Sequence, residues 1–406
     1  MRVLVITQYF WPETFRINEV VESLQQVGCC VSVLTGQPNY PDGKVFSGHH
    51  AWGVGRETHM SGCTVFRVPV APRGPSTAWR LAANYLSFVA SASLLGSWLL
   101  RGQRFDVIFV YGISPILQAV PGILLKRPKR AALVTWVQDL WPQSLEVTGF
   151  VRSPWLLGRM AAVVRWIYRR SDLLLVQSQA FIPIVESMAG GTRVTYHPNP
   201  GELSFDQAQV AGDSGIAFEP GFNVVFAGNL GTVQALDTVL DAAELLLDYR
   251  NIHIVFVGSG SRGSDLMQEV ARRGLRNVRF AGRMPPQAMP AILAQASALL
   301  VSLVRNPVMS QTIPSKVQAY LAAGRPVIAC LDGEGARVIE EAGAGLTCAA
   351  EDAAALTQAI LRMCAMPDAE LRRMGEAGRC YYRQHFDPGA LAHRLKQHFQ
   401  EAVSKR

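Results

Sequence analysis

Residues 313–316 read Ile-Pro-Ser-Lys and open a segment in which Val317, Tyr320 and Leu321 recur at helical spacing until Gly324 closes it. A proline is tolerated in the first helical turn because its missing N–H would find no intrahelical partner there. The amides that follow Pro314 therefore face outward, at the end of a helix that attracts anions. Lys316 adds a mobile full charge, and Ser315 a hydroxyl, where those dipoles already favour phosphate. A buried strand, Pro326 to Leu331, comes next. The chemistry implied is a diphosphate cradle; the plain alternative is a capped helix before a strand, as in any α/β protein.

Other residues fit the same chemistry. Val224 to Phe226 runs into Ala227-Gly228-Asn229-Leu230-Gly231, and Ile252 to Val257 runs into Gly258-Ser259-Gly260. Glycines at such places let backbone approach a phosphate closely, or simply make a tight strand-to-helix turn. In the first half, Asp139 follows a strand ending at Val137 and stands between Trp136 and Trp141, so it is the best acid-base candidate, with a helix N-cap as the alternative. Arg16, in the loop Pro12 to Asn18, is a cation at a first helical turn, which an anion nearby would justify. Asn39, Tyr40 and Asp42 lie in the turn-forming loop Thr35 to Gly43 and can bond sugar hydroxyls.

Two cores must position these groups. A chain of 406 residues with 49% hydrophobic content exceeds a single core. Strand and helix signals alternate, which implies parallel sheets covered on both faces. Val3 to Ile6, Cys30 to Leu34, Val107 to Val110, Leu133 to Val137 and Leu173 to Gln177 read as strands of a first domain, residues 1–200. A second, 201–385, begins its strands near Phe222, and residues 196–221 read as the connection. The seven cysteines contain no C-x-x-C pair, which suits a reducing compartment. His49, His50 and His59 share a polar loop without metal-ligand spacing.

The formal charge of +8 points to anionic partners. Nucleic acid is disfavoured, because the basic residues are not interleaved with aromatics in a recognisable module. Leu81 to Leu100 carries no charge, but Asn84, Gly96 and four serines make it a covering or interfacial helix rather than a span. Over Ser153 to Arg170, Leu156, Leu157, Met160, Val163, Val164 and Ile167 share one arc. Arg152, Arg159, Arg165, Arg169 and Arg170 share the other, with Trp155 and Trp166 among them. With the cluster Lys126 to Arg130 this suits an anionic membrane surface; a core-facing helix with a solvated basic back is the alternative. The chain opens directly on a strand, so no signal peptide is expected.

The stretch Pro314-Ser315-Lys316, helix, Ala322-Ala323-Gly324-Arg325-Pro326-Val327-Ile328 resembles retaining glycosyltransferases of family 4. The resemblance covers nearly the whole chain. It is closest to the branch serving bacterial surface polysaccharides (O-antigen, capsule, colanic acid; fucosamine-transferase-like), whose DLWP motif is matched at Asp139 to Pro142. It implies an α/β GT-B fold, two Rossmann-like domains facing across a cleft, with the final helix (386–406) returning to the first. It further implies a nucleotide-sugar donor, UDP foremost, and a polyprenyl-diphosphate-linked acceptor at the inner face of the plasma membrane. Neither metal nor cofactor is expected. The sugar would be an N-acetylated hexosamine or a 6-deoxy relative.

On this resemblance Gly228, Asn229, Gly231, Gln234, Gly258, Ser259, Arg283, Ser315 and Glu334 would bind donor. Arg16, Asn39 and Tyr40 would bind acceptor, and Asp139 and Lys316 would be catalytic. The sequence departs from the family where an arginine and a lysine usually meet the diphosphate: those places hold Asn229 and Gln234. The family's two glutamates become Gln311 and Ala319, leaving Glu334, read as a loop residue, as a substitute near the ribose. Lys316 must then carry more of the charge, with Arg16 or Arg305 helping. A nucleotide-sugar epimerase and a non-catalytic binding partner of the same fold are the rival readings.

Overall fold

A computed structural model describes residues 1–74, 77–144, 153–201 and 215–405. The chain divides into two compact units, Met1–Pro198 with Pro388–Arg406, and Asn199–Asp387.

The first unit is built on eight strands: β1 (Arg2–Ile6), β2 (Cys30–Gly36), β3 (Gly55–Thr58), β4 (Thr64–Val68), β5 (Val107–Gly112), β6 (Ala132–Val137), β7 (Leu173–Val176) and β8 (Val194–Tyr196). Their order is β3-β4-β2-β1-β5-β6-β7-β8. All pairs are parallel except β3 with β4. β5 and β6 are buried at every position, because helices cover both faces and leave no wet side to alternate toward. Helices Ala78–Leu99, Val120–Lys129, Pro154–Arg170 and Phe181–Ala189 bury Phe88, Leu125, Ile167 and Val185 on one face. Helices Ile17–Gln26 and Pro388–Ser404 bury Val21, Leu24, Leu395 and Phe399 on the other. The hairpin β3–β4 carries no apolar run in β3, Gly-Arg-Glu-Thr, and lies at the sheet edge, which is why the sequence pattern did not expose it. His59, expected in a polar loop, is buried against Phe10 and Trp11 just after β3.

The second unit has six strands, β9 (Phe222–Ala227), β10 (Ile252–Val257), β11 (Val278–Gly282), β12 (Ala298–Ser302), β13 (Val327–Cys330) and β14 (Gly345–Cys348). They are all parallel, in the order β11-β10-β9-β12-β13-β14. Val224 of β9 lies between Ile254 of β10 and Ala298 of β12. Strand order reverses direction there, as it does at β1 between β2 and β5, and at such points the loops leaving the carboxyl ends splay apart and open a crevice. Helices Ser315–Ala323 and Glu334–Ala342 pack on one face through Val317, Leu321, Val338 and Ile339. Helices Leu236–Leu245 and Ala353–Cys364 cover the other through Val239, Leu240, Leu356 and Ile360.

Candidate functional site

At the carboxyl end of β9, Ala227 donates its N–H to Tyr320 Oη at 2.9 Å, and the Tyr320 hydroxyl donates back to Ala227 O at 3.2 Å. This staple fixes the helix Ser315–Ala323, and with it Lys316, over the strand end. The chain then turns at Gly228, whose φ of +133° suits glycine; a Cβ there would lie 2.7 Å from Lys316 Cε. Gly258, after β10, has φ +139°, and a Cβ on it would sit 1.9 Å from Gly228 O. The two turns can touch only because neither bears a side chain. Gly228 N donates to Val257 O at 2.8 Å and Leu230 N to Ser259 O at 3.0 Å, so they form one stitched surface.

Around this surface lies a cavity of about 420 Å³. Gly228, Asn229, Gly258, Ser259, Arg283, Ser315 and Lys316 line it, with Met284, Met289 and Leu293 as its apolar wall. Lys316 Nζ donates to Gln234 Oε1 at 2.5 Å and sits 3.5 Å from the centre of the Phe226 ring. Among the described residues no carboxylate pairs with it. Burial without a counter-ion pushes its ammonium down to about 7. The arrangement holds an amine whose charge an entering anion would restore, with no counter-ion beside it among the described residues.

In the first unit, Asp139 follows β6 and is half-buried. Its Oδ2 accepts from Ser114 N at 2.9 Å and from Ser114 Oγ at 2.8 Å, and Trp141 Nε1 donates to Ser114 Oγ at 2.9 Å. The carboxylate thus reaches across to the loop after β5 at the carboxyl end of the sheet. A second carboxylate, Glu13, ties together the loops after β1 and β2. Its Oε1 accepts from Asn39 N and Tyr40 N, both at 2.8 Å, and its Oε2 from Phe10 N at 3.2 Å. Burial outweighs those three donors and pushes the carboxyl up to about 7. Tyr9 stacks on Phe15 with centroids 5.0 Å apart, and the Arg73 guanidinium lies 5.1 Å above the Tyr40 ring.

Residues 14–200 match the glycosyl transferase 4-like domain, and residues 221–366 match glycosyl transferases group 1. The putative colanic acid biosynthesis glycosyl transferase WcaI of Escherichia coli (strain K12) is 29% identical over 343 residues, 80% of this chain and 82% of that protein. Sucrose-phosphate synthase from Thermosynechococcus elongatus superposes with a TM-score of 0.70 over the whole of both chains, at 19% identity. The chain is a glycosyltransferase of the GT-B type. Anabaena HepE in complex with UDP shares the fold as well, with a TM-score of 0.67 at 14% identity, covering 99% of this chain and 100% of that one.

In this glycosyltransferase six of the nine residues named from the sequence as donor-binding, Gly228, Asn229, Gly258, Ser259, Arg283 and Ser315, meet in one cavity with Lys316, named as catalytic. Gln234 stands behind the cavity as the acceptor for Lys316, and Gly231 is a buried turn residue whose carbonyl accepts from Gln234 N at 3.2 Å. Glu334 requires correction. It is the buried first residue of the helix Glu334–Ala342, and Arg337 Nε and Nη2 each donate to it at 3.0 Å, so its carboxylate is spent within its own first turn. Arg305 is engaged too, with Nη2 on Ala350 O at 2.8 Å and Nε 3.7 Å from Asp332.

On the acceptor side Asn39 also requires correction. It is buried, donates from Nδ2 to Gln37 O at 2.9 Å and accepts from Arg73 N and Asn84 Nδ2, so it builds the loop rather than presenting itself to a sugar. Tyr40 keeps a half-buried ring, and Arg16 caps the helix Ile17–Gln26, its carbonyl accepting from Val20 N at 3.1 Å. Glu13 was missed. Its signal, an acid between Pro12 and Thr14 in a loop at a strand end, was present, but its partners lie 26 and 27 residues away. Arg152 lies outside the described residues.

Proposed function

We propose that the protein moves a sugar, an N-acetylated hexosamine or a 6-deoxy relative, from UDP to a lipid-linked glycan intermediate of surface-polysaccharide synthesis, with retention at the anomeric carbon. The observation that carries the reading is Lys316, a buried amine at a helix start that has no carboxylate partner among the described residues and faces two mutually stitched glycine turns. Glycosyl transfer leaves a diphosphate behind, and charge growing on that leaving group is what such a site stabilises. In this reading Lys316 and the first-turn amides of its helix take the diphosphate, Arg283 adds a second cation, and the apolar Met284, Met289 and Leu293 border the rest of the donor. Asp139 meets the acceptor hydroxyl from the first unit, oriented by Ser114. UDP is supported by the UDP complex of HepE, and the polysaccharide setting by the similarity to WcaI, a putative colanic acid biosynthesis glycosyl transferase.

The acceptor's lipid places the enzyme peripherally on an anionic membrane at the inner face of the plasma membrane. The basic residues of Val120–Lys129 and Pro154–Arg170 support this, and no helix among the described residues is long and apolar enough to cross a bilayer. The test is a panel of nucleotide sugars with membrane extract as acceptor, followed by mass analysis of the lipid fraction. A mass increment of one sugar on a lipid species, with release of UDP, is expected. Release of an epimerised nucleotide sugar with no lipid product would overturn the reading.

A further inference from the structure

The helix Ala78–Leu99 covers one face of the first sheet, and its two sides differ in an unusual way. Inward, Asn84, Phe88, Ala92 and Gly96 are buried at intervals of four. Outward, the exposed residues are Trp79, Ala82, Leu86, Ala90, Leu94, Ser97 and Trp98. A surface helix ordinarily turns charge to water. Here the outward stripe holds no charge and one hydroxyl, and Trp79, Leu86, Leu94 and Trp98 are 67%, 58%, 78% and 64% exposed.

The stripe does not stand alone. The neighbouring helix Val120–Lys129 adds Leu124, exposed by half, and Pro154–Arg170 adds Trp155, Leu156, Val163 and Trp166. Leu156 and Val163, on the apolar arc of that helix, are exposed rather than packed in a core, and on it only Val164, Ile167 and Tyr168 are buried. Across the three helices the sequence has eight lysines and arginines and no aspartate or glutamate. Three of the tryptophans carry an arginine each: Arg80 lies 5.2 Å from the Trp79 ring centre, Arg159 5.8 Å from that of Trp155, and Arg170 5.9 Å from that of Trp166. Lys126 and Lys129 are held by the fold, through Asp172 and the carbonyls of Leu100 and Gln103, while Arg127, Arg159, Arg169 and Arg170 are exposed.

We propose that Ala78–Leu99 lies in the plane of an anionic bilayer surface, with the stripe from Trp79 to Trp98 in the boundary between headgroups and acyl chains and the exposed arginines of the two neighbouring helices on the headgroup phosphates. Charge complementarity selects this occupant. A face free of acids, apolar along one helix and edged by arginine-bearing tryptophans, matches a phosphate layer over hydrocarbon. A protein partner would have to bring an unbroken acidic and apolar surface of the same length, about 33 Å for 22 residues. The inference rests on the lipid-linked acceptor for its purpose, and names the element that inserts.

The test is sedimentation of the full chain with vesicles of phosphatidylcholine, with and without phosphatidylglycerol. Wild type should bind the anionic vesicles, less as salt rises, and its tryptophan emission should shift to shorter wavelength. The double variant Leu86→Glu, Leu94→Glu places charge in the stripe at positions too exposed to matter for folding, and should weaken binding at least tenfold with an unchanged melting profile. Arg127→Gln with Arg159→Gln should weaken it by about fivefold per arginine. Wild type failing to bind anionic vesicles, or the stripe variant binding as well as wild type, would overturn the proposal. So would self-association of wild type that the stripe variant abolishes, since the stripe would then be a contact between copies. Transfer to a water-soluble acceptor analogue should be unaffected by either variant; absence of transfer in wild type alongside intact vesicle binding would count against the proposed function and leave the docking face standing.

Discussion

Replacing Lys316 with alanine tests the centre of the proposed donor site. In the free protein Nζ rests between Gln234 Oε1 and the Phe226 ring, with burial holding its ammonium down to about 7. A bound diphosphate supplies the missing counter-charge. A hydrogen bond to a charged group contributes about 1.5–3 kcal/mol, so Lys316→Ala should weaken UDP binding by roughly ten- to a hundredfold while the protein stays folded. The pH dependence gives a second reading. Below about 7 the free protein already carries the charge; above it the ammonium is lost, and binding must take up a proton. Affinity in wild type should therefore be flat below that point and fall by up to about tenfold per unit above it, over the roughly one to two units that correspond to the charge's contribution. Calorimetry in buffers of different ionisation enthalpy reads both the affinity and the proton uptake. The reasoning fails if Lys316→Ala binds UDP as wild type does, or if the variant keeps the same pH slope.

Three other perturbations separate the parts of the site. Asp139→Asn should cut transfer strongly while donor affinity stays close to wild type, because its carboxylate is held by Ser114 in the first unit; a collapse of donor binding would remove it from the acceptor side. Tyr320→Phe strips the buried Ala227 N–H of its acceptor and should lower stability by about 1–3 kcal/mol in urea unfolding; unchanged stability would show that the staple contributes nothing. Glu13, raised from 4.5 to about 7, holds its proton in the native state across a window where the unfolded chain has lost it. Its contribution is therefore complete at low pH and is lost as pH rises through about 7, by up to about 3 kcal/mol; Glu13→Gln should flatten that fall between pH 5 and 8, and an identical slope in the variant would refute the assignment.

The two α/β domains were legible because their signals are local: apolar strands running into glycine turns, and helices ending at glycine. Pro314-Ser315-Lys316 and the turns at Gly228 and Gly258 were readable for the same reason, each within a few residues of its own strand end. What brings them together is not local. Phe226, beneath Lys316, is 90 residues earlier in the chain, and Glu13 becomes a loop clamp only when Asn39 and Tyr40 return beside it. Glu334 is the opposite case. Its partner Arg337 stands three residues on, a spacing that marks a helical ion pair, yet the glycines on either side of it suggested a loop.

The neutral residues at 229 and 234 acquire a physical role from this. A lysine at 234 would face Lys316 Nζ, whereas the glutamine offers it an amide oxygen, so the neutral side chain keeps the one remaining ammonium in place over the glycine turns. Lys316 is the titrating cation of this cavity, beside Arg283, and among the described residues no carboxylate pairs with it, so its charge follows the occupancy of the proposed donor site: low when empty, because burial disfavours the ammonium, and restored when an anion enters. A site with several fixed cations would bind diphosphate across a broad pH range and release it slowly. One titrating lysine makes binding and release respond to the protonation of a single nitrogen, which is why the slope of affinity with pH, rather than affinity alone, is the measurement that distinguishes this donor site from one with more fixed charge.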